Sequence, residues 1–126
     1  MKDHTQLLRQ VHPDFIQDGR VSSQAFKPTP KDEKQLSVYD GDQISAVDSY
    51  QHYTETLNLP SDGVLAVTVE ECTNLELPAE PKPLENFPEH ATIDFSRQGT
   101  ASIEKKSKLL RAKAMQRDWL FQNTGS

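Results

Sequence analysis

The sequence contains very little cysteine: Cys72 is the only one in 126 residues. A single thiol excludes an internal disulfide and any metal cluster built from several cysteines, and it favours a reduced, cytoplasmic setting. No continuous apolar run approaches the roughly 18–20 residues that a membrane-spanning helix needs, so we expect no membrane association. The first ten residues lack the apolar stretch of a secretory signal, and we expect no such signal.

Motifs that would assign a reaction are also missing. The sequence has no GxxxxGK[ST] or GxGxxG phosphate loop, no GxSxG serine elbow and no HxH or HExxH metal spacing. The acidic turn around Asp40, Asp42 and Asp48 lacks the glycine and distal glutamate of a calcium-binding loop. We therefore predict no metal and no cofactor, and whether the chain is an enzyme stays open, with a non-enzymatic protein favoured.

The charge of the chain is divided unevenly. Residues 1–100 carry 8 basic and 17 acidic side chains, whereas residues 101–126 carry 6 basic and 2 acidic ones. A basic helix near the end of the chain, with Lys105, Lys108 and Arg111, could contact a partner or nucleic acid. Because the remainder is acidic and aromatic residues follow the cluster only at Trp119 and Phe121, we disfavour nucleic acid against an intramolecular role.

The spacing of apolar residues predicts a single α+β domain. Its expected architecture is a small mixed sheet of about four short strands with two or three helices packed on it. Residues 5–12 fit either a helix or a strand. Strands are expected near 21–26, 35–39, 63–67 and 91–95, and helices near 45–57, 69–75 and 102–119. The domain would span 1–121, with a proline-rich extended linker at 78–88 and a frayed tail at 122–126.

The N-terminal segment holds the densest set of anion-binding side chains. Arg9 and Arg20 offer planar guanidinium groups, and Ser22 and Ser23 add hydroxyl donors. His12 is the candidate acid or base of a catalytic step. These residues would bind a phosphate or carboxylate if they met in one concave pocket, and would otherwise be an ordinary polar strand and turn.

Two isolated residues have a functional and a structural interpretation. His90 opens the strand near 91–95, where it could line a pocket at the edge of the sheet or simply start a strand at the surface. Cys72 could pair with a histidine as a nucleophile, but its place in a short amphipathic helix favours a buried structural thiol.

Two resemblances accompany these patterns. The run LLRQVHPDFIQDGRVSSQAFKPTPKDEKQLSVYDGD and the later HATIDF with its basic helix resemble a small family of bacterial proteins with no established activity. That resemblance implies a bacterial or phage origin. The order Arg9, Ser22–Ser23 and Glu55 resembles the Arg–Ser–Glu order of ADP-ribosyltransferases, but the interval from Arg9 to Ser22 is shorter than in that fold.

Three functions remain for comparison with the structure. The leading hypothesis is a small, non-enzymatic protein that binds another protein, as an accessory or inhibitory subunit in a bacterial conflict or regulatory system. The first alternative is a nucleotide- or phosphate-binding, enzyme-like domain that uses the N-terminal Arg/His/Ser cluster. The second is nucleic-acid binding through the basic C-terminal helix.

Overall fold

The computed structural model describes residues 1–29, 31 and 33–124. The described part of the chain contains eight strands and three α-helices. In chain order they are β1 Gln6–Gln10, β2 Ile16–Gln17, β3 Arg20–Val21, β4 Gln35–Asp40, α1 Ala46–Gln51, β5 Gly63–Thr68, α2 Val69–Thr73, β6 Ala79–Pro81, β7 His90–Asp94, α3 Thr100–Arg117 and β8 Phe121–Gln122. Short 3₁₀ turns at Pro13–Phe15 and Ser23–Phe26 and a π-helical turn at His52–Thr56 complete the fold.

Six strands form one sheet in the order β6-β7-β4-β1-β5-β8, and β2 pairs with β3 in a separate ribbon. All strand pairs among the described residues are antiparallel. The α+β class is confirmed, but the prediction of about four strands in a mixed sheet was wrong. The outer strands β6 and β8 have only three and two residues, and strands this short are held by their neighbours rather than by a pattern of their own.

Three local predictions also need correction. The segment 21–26 is not one strand, because β3 ends at Val21 and a 3₁₀ turn follows from Ser23 to Phe26. The proline-rich segment 78–88 contains the edge strand β6, where Pro81 closes a strand at the border of the sheet, as proline can. Gln122 pairs with Gly63 instead of fraying, and Asn123 donates its N–H to the Asp62 carbonyl at 2.9 Å. Gly125 and Ser126 lie outside the described residues.

The two faces of the sheet pack against different elements. On one face, alternate residues of the central strands meet α3 and the Ser23–Phe26 turn to form the main core. Ile103, Leu110 and Ala114 form the buried side of α3 in this core. The other face carries a smaller cluster of Leu8, Tyr39, Val64 and Ala66, which is covered only in part, by α1, the π-helical turn and the loop around Phe87.

Two of the described helices begin at side-chain caps, whereas α3 begins at Thr100, two residues before the expected start at 102, without a side-chain cap. Ser45 Oγ accepts the N–H of Asp48 at 3.1 Å at the start of α1. Thr68 and Glu71 form a reciprocal capping box that starts α2 directly after β5. Among the described residues, no helix is long and apolar enough to cross a lipid bilayer.

Candidate functional site

Three residues of the predicted N-terminal cluster lie together. Arg20, Ser22 and Ser23 line a cavity of about 800 Å³ on the side of the molecule that carries α3. Lys108 and Arg111 of α3 line the same cavity. We call it the basic cavity. Two sets of residues that the sequence analysis treated separately, the N-terminal cluster and the basic helix, therefore contribute to one concave surface.

Local structure explains how these side chains meet. The Asp18–Gly19 turn reverses the chain between β2 and β3, with both residues at positive φ. Ser22 donates its N–H to the Phe15 carbonyl at 2.8 Å and so places the Ser22–Ser23 pair beside the ribbon. Arg111 Nε donates to the Val21 carbonyl at 2.7 Å, a contact across 90 positions of sequence that fastens the ribbon to α3.

The basic cavity has the groups that an anion requires. Arg20 and Lys108 are exposed, Arg111 is half-buried, and Asp18 is the acidic side chain that shares the lining. The Ser22 hydroxyl oxygen is buried and has no hydrogen-bond partner among the described residues. A buried hydroxyl without a partner is uncommon in folded proteins, because its desolvation is not offset.

Lys105, the third predicted contact on α3, is exposed and is not one of the described residues that line the basic cavity. Glu104 next to it forms an ion pair with Lys27, and this hydrogen bond holds the pKa of Glu104 below its usual range. The acidic side chain nearest to Lys108 on α3 is therefore engaged by a cation of another segment.

Arg9 has a structural position away from the basic cavity. The ladder between β1 and β4 has its last register pair at Leu8 and Tyr39. Just beyond it, Arg9 Nε donates to the Ala25 carbonyl at 2.6 Å and Nη1 donates to the Ser37 carbonyl at 2.9 Å. The guanidinium thus bridges β4 and the 3₁₀ turn where the two strands separate.

His12 also lies elsewhere. Its Nδ1 accepts the N–H of Asp14 at 2.9 Å, so the imidazole caps the short turn at Pro13–Phe15. Its ring lies 5.8 Å from that of Phe15. Among the described residues, Arg9 and His12 do not line the basic cavity, so the five-residue pocket of the sequence analysis is not formed as a unit.

A second concavity, of about 460 Å³, opens on the opposite, less covered face of the sheet. Tyr39, Tyr53, Phe87 and His90 supply its aromatic lining, and Arg9 and Ser37 lie where β1 and β4 separate. We call it the aromatic pocket. His90 lines this pocket and is also the first residue of β7, so both of its interpretations fit the structure. Arg9 of the predicted N-terminal cluster lines the pocket too, whereas the remaining lining residues were not singled out from the sequence.

Contacts between rings and hydrogen bonds fix the aromatic pocket. The Tyr39 and Phe87 rings are 4.7 Å apart, and the Phe87 and His90 rings are 5.1 Å apart. His90 Nε2 lies 3.1 Å from Ser37 Oγ, and its Nδ1 lies 2.7 Å from the Lys82 carbonyl. The Tyr39 hydroxyl meets His52 Nδ1 at 2.7 Å. Burial, followed by nearby Tyr53 and Glu89, raises the pKa of Tyr39, which therefore stays a neutral phenol.

Three exposed leucines also line the aromatic pocket. Leu57, Leu59 and Leu84 are 37%, 43% and 53% exposed, and they account for half of the six large apolar side chains that are this exposed in the described chain. The remaining three, Met1, Val47 and Leu109, do not line it. Clustering of exposed leucines around one concavity distinguishes this surface from the scattered apolar residues of an ordinary protein surface.

Cys72 is buried in the main core, as its structural interpretation expected. Burial and the charge of Glu71 raise the pKa of its thiol to about 12, so the thiolate is scarce at neutral pH. Within the described residues, no group of three or more His, Cys, Asp or Glu side chains is arranged to hold a metal ion.

Comparisons with known proteins add no relative: no protein-family model, no curated protein and no solved structure matches this chain.

Proposed function

We propose that this chain is a small, non-enzymatic binding protein that holds a segment of a partner protein in the aromatic pocket. The observation that carries the proposal is the exposure of Leu57, Leu59 and Leu84 around a concavity with aromatic walls. Burial of apolar surface stabilises a complex by roughly 25 cal/mol per Å² removed from water. Covering the three leucines would therefore contribute to the affinity for a partner.

The lining of the aromatic pocket suits an apolar anchor. Tyr39 lies in β4 and Phe87 in the loop before β7, and their rings hold each other in contact. The two side chains therefore lose little conformational freedom when a ligand binds. Anchor side chains that enter preformed pockets dominate the energy of many protein interfaces. We expect one large apolar or aromatic side chain of the partner to pack against these rings.

The charges next to the aromatic pocket define the rest of the partner. Glu55 precedes Leu57 by two positions, Glu85 follows Leu84, and Glu89 precedes His90. Two cations lie nearby: Lys82 is paired with Glu80 at 3.6 Å, and Arg9, which lines the pocket, donates to the Ala25 and Ser37 carbonyls. We expect these three acidic residues to favour a segment with Lys or Arg on either side of its apolar anchor, because opposite charges steer association and disfavour acidic partners.

A peptide-display selection on the immobilised protein tests the proposal. We expect enrichment of short sequences with one large apolar residue flanked by Lys or Arg. The best sequence, synthesised and titrated by fluorescence anisotropy, should bind Leu59→Ser and Leu84→Ser at least about tenfold more weakly, the effect of losing roughly 1.4 kcal/mol of contact.

Leu109→Ser is the matched control. Leu109 is 41% exposed, close to the 43% of Leu59, but it lies on α3 away from the aromatic pocket. Its substitution should leave the affinity unchanged. A selection without a common pattern, or an equal loss of affinity in Leu109→Ser, would refute the proposed binding surface.

A further inference from the structure

The basic cavity continues into a second hollow. The hollow has a volume of about 330 Å³ and shares Arg20, Val21 and Arg111 with the basic cavity. Its other lining includes Ile16, Met115 and Trp119, and we call the side of the hollow formed by these three residues the apolar half. The two together form a groove with one cationic half and one half that contains an indole ring, along the junction between the β2–β3 ribbon and α3.

The cationic half has the composition of a phosphate site. Lys108 and Arg111 are three positions apart on α3 and so lie on the same side of the helix. Arg20 approaches from the ribbon, and Ser22 and Ser23 bring hydroxyl groups that donate to phosphate oxygens. Three cations against the single carboxylate of Asp18 leave this half with a positive charge.

The apolar half has a ring that a planar base can stack on. Trp119 lies two residues beyond the end of α3. Between them, Asp118 has a positive φ, and its carboxylate accepts the backbone N–H of Trp119 at 2.8 Å. The indole is half-buried, and Met115 lines the same hollow one helical turn before it. Stacking on an aromatic side chain stabilises the binding of any nucleobase, because every base has a π face.

From this juxtaposition we propose that the groove binds a nucleoside phosphate, with the phosphate between Arg20, Lys108 and Arg111 and the base against Trp119. The volumes of the two hollows lie within the range of small-molecule sites. A nucleic-acid strand would need a longer track of cations and successive stacking rings, and Lys105 does not line the groove in the described structure.

The single tryptophan provides the readout. Trp119 is the only tryptophan in the sequence, so quenching of its fluorescence reports ligands that reach the apolar half. Titrations would use AMP, ADP, ATP, GDP, pyrophosphate and a single-stranded oligothymidylate, each repeated by calorimetry. We expect at least one nucleoside phosphate to bind with quenching, and pyrophosphate to bind more weakly and without it.

Substitutions at exposed positions test the phosphate half without disturbing the fold. Arg20→Ala and Lys108→Ala should each weaken the binding of the nucleotide by about tenfold, the usual effect of losing a charge-assisted hydrogen bond. Lys105→Ala changes another exposed lysine of the same helix, serves as the control and should bind like the unchanged protein.

Three results would overturn the proposal. One is a Kd weaker than about 1 mM for every nucleotide in the series. Another is pyrophosphate binding as tightly as ADP, which would show that the apolar half is not used. The last is an oligothymidylate that binds more tightly than every mononucleotide and is weakened by Lys105→Ala, which would assign the surface to nucleic acid.

Discussion

The Arg117 guanidinium forms a two-point ion pair with the Glu71 carboxylate, with Nη1–Oε1 and Nη2–Oε2 distances of 3.1 and 3.0 Å. Arg117 Nη1 also donates to the Ala66 carbonyl at 2.8 Å, and Glu71 accepts the Thr68 N–H at 2.8 Å. One pair of side chains therefore connects the end of α3, strand β5 and the capping box of α2. The contact spans 46 positions of sequence.

This relationship predicts a loss of stability in acid. Burial raises the pKa of Glu71, but the hydrogen bonds from Arg117 and Thr68 outweigh it and hold the pKa below the usual 4.5. A carboxylate with a lowered folded-state pKa stabilises the protein above pH 4.5, and the stabilisation is lost as the pH falls through the folded-state value. Urea unfolding as a function of pH should show this decline, and Glu71→Gln should have a shallower decline.

Asp94 provides the comparison for the acid experiment, because hydrogen bonds from Ser96 hold its pKa low as well. The unchanged protein should therefore retain part of its pH dependence when Glu71 is removed. Equal slopes in Glu71→Gln and the unchanged protein would show that the Arg117 pair does not stabilise the fold.

Gly63 should tolerate no side chain. Its φ is +155°, and a Cβ there would lie 2.5 Å from the Phe121 carbonyl oxygen and 2.9 Å from Trp119 Cζ3. Gly63→Ala is expected to lower the free energy of unfolding by about 1–3 kcal/mol through overpacking and backbone strain. It should also shift the emission of Trp119, since β8 and the indole must move.

Gly99→Ala is the control for that experiment, because no atom beyond Gly99 and its two chain neighbours lies within 4 Å of the added Cβ in the described structure, and the φ of −81° suits alanine. Its effect should stay within about 1 kcal/mol. A Gly63→Ala protein as stable as Gly99→Ala would contradict the close approach of β5 and β8.

We expect Arg9 to stabilise the folded protein. Arg9→Met removes the donors to the Ala25 and Ser37 carbonyls, and the loss should cost about 1–3 kcal/mol in denaturant unfolding. Arg20→Met, at an exposed position, should change stability by no more than about 0.5 kcal/mol. If the two variants have the same free energy of unfolding, the hydrogen bonds of Arg9 do not stabilise the fold.

Cys72 should be inert in the folded protein. Its side chain is fully buried, and its pKa is raised to about 12 by burial and by Glu71. A thiol-reactive disulfide reagent at mild alkaline pH should label Cys72 only after denaturant is added. Rapid labelling of the native protein would show that this part of the core opens.

Local signals account for what the sequence predicted well. The apolar run of β5 and the Thr68–Glu71 capping box act within a few residues, and both appear in the structure. β8 escaped prediction because its two residues become a strand only through pairing with Gly63 and Val64. The segment after Val21 was misread because a buried residue at each end, Val21 and Phe26, fits a 3₁₀ turn as well as a strand.

The candidate sites show the same difference between signals that are local in the sequence and contacts between distant segments. Arg20, Ser22 and Ser23 are close in sequence and could be singled out together, whereas their neighbours Lys108 and Arg111 come from a helix about 90 positions later. The aromatic pocket draws on β1, β4, the π-helical turn with the loop that follows it, the loop before β7 and the first residue of β7. No short-range pattern connects those segments, so only the fold brings them together.

The most direct test of the proposed function is a map of where a selected peptide contacts the protein. Two-dimensional ¹H–¹⁵N NMR during a titration with the peptide from the display selection gives that map. We expect shifts to concentrate at the amides of the aromatic pocket, among them Tyr39, Leu59, Leu84 and His90. Shifts confined to α3 and the β2–β3 ribbon would contradict the account.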